Sequence, residues 1–82
     1  MSMNMTADFF RELCARGGGE DRPFVDAREI ASALEMNDTD LVATLQSLET
    51  GNIIEEFDRA GGIEVRLTKF GRQQCGYVAS SA

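Results

Sequence analysis

At Gly51 the apolar residues of this chain switch from helical to alternating spacing, and that switch limits the fold more than any other feature. Before it, Leu41, Val42, Leu45 and Leu48 follow an i, i+4, i+7 pattern, the stripe of an amphipathic helix. After it, Ile63-Glu64-Val65-Arg66-Leu67 alternates strictly. Ile63, Val65 and Leu67 face one way, Glu64 and Arg66 the other. Ile53-Ile54-Glu55-Glu56-Phe57 precedes that run, and the turn residues Asp58 to Gly62 join the two as a β-hairpin of open register.

Two helices are expected upstream of the third. The first runs from Asn4 or Thr6 to Ala15 or Arg16. Thr6 can cap it, and Phe9, Phe10, Leu13 and Cys14 form its stripe. The triplet Gly17-Gly18-Gly19 ends it. Pro23 fixes an extended entry, with Phe24-Val25 as a short edge strand. Asp26 and Glu29 form a capping-box variant opening a second helix, Ala27 to Leu34, whose Ile30, Ala31 and Leu34 share a side. Asn37 or Asp38 caps the third, and Thr68 can cap a last short helix through Gln74. The expectation is an α+β fold, with a three-helix core, a C-terminal two-stranded hairpin and a short edge strand. It forms a single domain over 1–82, with its core in 6–74 and frayed termini.

Composition excludes several functions. There is no histidine, and no serine or cysteine has an identifiable base partner. Glu55 and Glu56 are neighbours on a strand and point to opposite faces, which is no geometry for an acid/base pair. The glycine triplet follows a helix and lacks the lysine of a phosphate loop. The chain therefore reads as a non-enzyme with no cofactor and no metal. Cys14 and Cys75 lie too far apart for a metal spacing. A disulfide between them is arithmetically open, but Cys14 on an apolar helix face reads as a small hydrophobe. The five phenylalanines read as core. No run is long and apolar enough to span a membrane, and the start is no signal peptide, so the expected location is cytoplasmic.

The net charge of −6 is uneven. Residues 1–58 hold 4 basic and 13 acidic side chains, whereas residues 59–82 hold Arg59, Arg66, Lys69 and Arg72 against Glu64 alone. An anionic partner would meet the C-terminal part, a basic one the rest.

Helix, short strand, helix, tight turn, helix, hairpin is the order of the winged helix-turn-helix superfamily, and the local residues resemble it. Val25-Asp-Ala-Arg-Glu-Ile-Ala-Ser-Ala-Leu34 resembles its second helix. Asp38-Thr-Asp-Leu-Val-Ala-Thr-Leu-Gln-Ser-Leu-Glu-Thr-Gly51 resembles its third. Ile53-Ile54 and Leu67-Thr-Lys-Phe-Gly-Arg72 resemble the strands of the wing and the segment leaving it. The likeness covers residues 6–74 and is closest in character to the minimal domains of MarR- and ArsR-type bacterial repressors.

That resemblance implies a small DNA-binding transcriptional regulator, working as a homodimer on palindromic half-sites. Its third helix would offer Thr39, Asp40, Ala43, Thr44, Gln46 and Ser47 to the major groove of duplex DNA. The wing would add Arg59 at its tip, which has no packing duty, and Arg66, with Lys69 and Arg72 flanking. Arg66 could also pair across the hairpin with Glu55 or Glu56. The sequence departs from the pattern at the third helix, which carries Asp38, Asp40 and Glu49 and no lysine or arginine, although cations dominate DNA affinity. As helix-capping charges, Asp38 and Asp40 have a structural explanation. The acidic helix supports an alternative, a protein–protein interaction module on a winged-helix scaffold that has lost DNA binding.

Overall fold

In a computed structural model that describes residues 5–80, with side chains from 5 to 77, four helices and three strands follow one another. They are α1 (Met5–Gly17), β1 (Val25–Asp26), α2 (Ala27–Ala33), α3 (Asp38–Thr50), β2 (Ile54–Arg59), β3 (Gly62–Leu67) and α4 (Lys69–Ser80). The sheet has the order β1-β3-β2, antiparallel throughout, so the edge strand pairs with β3 through Val25 opposite Val65. The register runs from Ile54 opposite Leu67 to Arg59 opposite Gly62, which leaves Ala60-Gly61 as a two-residue turn. Gly61, at φ +88°, supplies the positive φ that such a turn needs.

The core lies where the helices meet the inner face of this sheet. Phe9 and Leu13 of α1, Ala27, Ile30 and Ala31 of α2, Leu41, Leu45 and Leu48 of α3, and Ile54, Val65 and Leu67 form one buried cluster. Cap chemistry sets the helix starts. The Asp26 side chain accepts from the Arg28 amide and that of Asn37 from the Asp40 amide, each at 2.8 Å. Asn37, not Asp38, is therefore the cap of α3. The Thr68 hydroxyl accepts from the Gly71 amide at 2.8 Å, as expected of a cap, but α4 continues to Ser80.

Several expectations fail on tertiary grounds. Thr6 lies inside α1 and does not cap it, and Asn4 falls outside the described residues. Val42 leaves the apolar stripe of α3, and Thr44 takes its place. With 3.6 residues per turn, the buried set is i, i+3, i+4, i+7, here Leu41, Thr44, Leu45 and Leu48, while Val42 turns outward at 50% exposure. Of the phenylalanines, Phe9 is buried and Phe10 packs against the core, but Phe24, Phe57 and Phe70 are exposed. Phe57 alternates with buried Ile54 and so stands on the outer face of the sheet.

Cys14 is not a free hydrophobe. It is joined by a disulfide to Cys75, with Cα atoms 5.7 Å apart, and this bond clamps α4 to α1. Helical periodicity could place Cys14 on an inward face, but only tertiary packing brings Cys75 to it.

Candidate nucleic-acid interface and cationic surface

The outward side of α3 is open. Thr39, Val42, Ala43 and Gln46 line a shallow depression that begins at Asp38, and Ser47 follows one turn on, also exposed. Asp40 is partly buried. Thr44 is buried at 4% exposure, so it belongs to the core side of the helix and cannot reach a groove. The reason is angular: Thr44 lies three residues from Leu41 and four from Leu48, within the buried stripe.

Charge on this face is negative, with one compensation that sequence reading misses. Arg28, in the first turn of α2, reaches Asp38 at 3.6 Å and sets one cation beside the start of α3. Its partner is ten positions away on another helix, so spacing alone gives no signal for it. The other surprise is Val42, which offers an apolar centre where a polar one was expected.

The hairpin does not present Arg59 free of duties. Its Nε lies 3.1 Å from Glu64, and its guanidinium sits 5.7 Å from the centre of the Phe24 ring. The expectation that Arg59 has no packing role is therefore wrong, because alternation puts Arg59, Phe57 and Glu64 on the same outer face as Phe24. Phe24 and Phe57 meet edge to face at 5.1 Å. The Arg66 guanidinium also lies against Phe24, 5.2 Å from the ring centre, and its Nε donates to the Arg22 carbonyl at 2.8 Å. Arg66 stands opposite Glu55 in the register but pairs with neither Glu55 nor Glu56. The carbonyls of the 21–22 loop have claimed its donors. On the inner face, burial lifts the Glu56 carboxyl above its ordinary range, and Glu49 and Asp58 add repulsion.

Lys69 and Arg72 lie elsewhere. At about 3.3 Å per residue, β3 separates its tip end at Gly62 from Leu67 by roughly 17 Å, and both residues follow Leu67. They line a concavity at the base of the hairpin with Glu20, Arg22 and Gln73. The structure thus divides the expected site residues into two groups. Thr39, Ala43, Gln46 and Ser47 share the outer face of α3, and Arg59 marks the hairpin tip. Lys69 and Arg72 join the loop after α1.

Similarity to known proteins is found at the level of structure. No protein-family model and no curated protein matches the sequence. Among solved structures, a mutant of MarR from E. coli in complex with operator DNA superposes with a TM-score of 0.72 at 15% identity, over 92% of this chain and 51% of that one. The fold is a winged helix. A putative transcriptional regulator from Pseudomonas aeruginosa gives a TM-score of 0.68 at 27% identity over 92% of this chain and 49% of that one. F93 from STIV, a winged-helix DNA-binding protein, gives 0.68 at 16% identity, covering 98% of this chain and 89% of that one. This winged helix spans about half the length of the first two. Its wing is the β2–β3 hairpin, and α3 occupies the place of the third helix. These neighbours are transcription regulators and DNA-binding proteins, not enzymes.

Proposed function

We propose that this winged helix is a small DNA-binding protein of transcription regulation, with the outer side of α3 directed to duplex DNA. The observation that carries the reading is the open face of Thr39, Ala43, Gln46 and Ser47 beside a wing tipped by Arg59, in a fold shared with a regulator solved on operator DNA. Gln46 and Thr39 can hydrogen-bond base edges, and Arg28 and Arg59 can meet phosphates. The reading includes a symmetric dimer, because a domain 32 Å across makes few phosphate contacts alone and fits the ~34 Å spacing of successive half-sites. It also implies a cytoplasmic protein; among the described residues no helix is long and apolar enough to cross a membrane.

The test is a gel shift on mixed-sequence duplex DNA at about 50 mM salt, where phosphate-driven binding is strong. Retarded complexes that weaken steeply with salt, and further on Arg59→Ala, are expected. No shift on any duplex would reject the proposal.

A second reading, a protein-interaction module, draws on one specific observation: α3 carries Asp38, Asp40 and Glu49 with no cation of its own, around a half-exposed Val42. Asp40→Asn separates the two. It strengthens duplex binding if phosphates face that helix, and weakens retention on a lysine-rich peptide column if a basic protein does.

A further inference from the structure

We propose that the concavity at the base of the wing, lined by Arg22, Lys69, Arg72, Gln73 and Glu20, is a binding site for a small phosphate-bearing anion, separate from the α3 face. The pairing of the cations points there. Arg11, Arg16, Arg28 and Arg59 each lie within ion-pair distance of a carboxylate. Among the described residues, Arg22, Arg66, Lys69 and Arg72 do not, although the chain holds 14 acidic side chains. A protein this acidic has carboxylates to spare, yet three of its four unpaired cations converge on one open hollow of about 510 Å³.

Two of the three are held in place by neutral partners. The Arg72 Nε donates to the Gly18 and Gly19 carbonyls, both at 3.1 Å, and the Arg22 Nη1 donates to the Leu67 carbonyl at 3.2 Å. Carbonyls orient a guanidinium without neutralising it, and the remaining N–H groups of each fork stay available to oxyanion oxygens. Arg22 holds this position with φ +47°, a left-handed conformation costly to a residue with a Cβ. Lys69 adds a point charge and Gln73 an amide donor, while Glu20 is the one carboxylate among the lining residues, leaving an excess of two positive charges in the lining. Phosphate suits the set because it offers several acceptor oxygens to forks approaching from different sides.

The hollow lies past the Leu67 end of β3, whereas Arg59 and the wing tip lie at the Gly62 end, and it shares no lining residue with the depression on α3. Through Arg72, the carbonyls of Gly18 and Gly19 tie the site to the loop that follows α1.

The experiment is a titration of the full chain, labelled with ¹⁵N, with pyrophosphate at constant ionic strength, chloride serving as the control. Saturable amide shifts confined to residues 18–22 and 69–73 are expected. Lys69→Gln, which removes an exposed side chain without a structural partner, should weaken binding about two- to fivefold, the loss of one exposed charge contact. Shifts that chloride reproduces, or that Lys69→Gln leaves unchanged, would overturn the assignment. Titration with duplex DNA supplies the other arm. Competition between duplex and pyrophosphate for the same amides would overturn a separate site and make the hollow part of the DNA surface. Saturable pyrophosphate binding in a protein that ignores duplex DNA would uphold this inference while rejecting the proposed function.

Discussion

Gly71 sits where α4 crosses the chain leaving α3, and a Cβ at that position would run into the Ile53 carbonyl. Backbone cannot yield as a flexible side chain can, so Gly71→Ala should destabilise the domain by about 1–3 kcal/mol, in the range of core overpacking. A thermal melt reads this directly. Arg59 behaves differently. Its pair with Glu64 is exposed on both sides, and such pairs contribute about 0.2–1 kcal/mol. Because its contact with Phe24 goes as well, Arg59→Ala should lower the melt by a few degrees, less than Gly71→Ala does, while clearly lowering duplex affinity, a separation that melting and gel shift together would show. Nothing in the sequence marks Gly71 as different from Gly76, because the crowding comes from Ile53, far away along the chain. Arg59 could be placed at the hairpin tip from turn chemistry alone. Its contact with Phe24 could not, since Phe24 comes from the other edge of the sheet.

Among the elements, those with local signals were legible. The hairpin followed from alternation and from Gly61, and the start of α2 from Asp26. Helix α3 was placed correctly, but its rotation was not. Reading Val42 as inward displaced the face by about one residue, and this moved Thr44 from core to candidate contact. The buried side of β2 carries a testable charge. Burial raises the folded-state pKa of Glu56 above its ordinary value of 4.5, so its ionisation opposes folding. The sign follows from proton binding: between the unfolded and folded values the native state holds more protons, and stability falls as pH rises through that window. Glu56→Gln should be more stable than the parent at pH 7, and the advantage should vanish as pH drops below about 4.5. Chemical denaturation of both proteins at several pH values measures it. An advantage that grew at low pH would contradict the burial of this carboxyl.

For the whole molecule, the disulfide and the charge distribution were the least legible features, because both depend on which distant segments meet. Charge counting correctly found a basic C-terminal part, but it merged the wing tip with the wing base, which the strand length keeps apart. Cys14 and Cys75, 61 positions apart, close a loop around most of the chain. Cross-links of that span typically stabilise by about 2–4 kcal/mol, chiefly by restricting the unfolded ensemble. Cys14→Ser with Cys75→Ser, or treatment with dithiothreitol, should lower the melting temperature accordingly, by calorimetry or circular dichroism. In a cytoplasmic setting, thiol buffers would work against this bond.

The same covalent loop decides what happens if the backbone is cut. The loop at Gly19-Glu20-Asp21 and the wing tip, as exposed chain reversals, are where a protease would act first. Both lie between Cys14 and Cys75, so one cleavage there produces two fragments that stay tethered through sulfur. They would migrate together on a non-reducing gel and part only once a reductant is added.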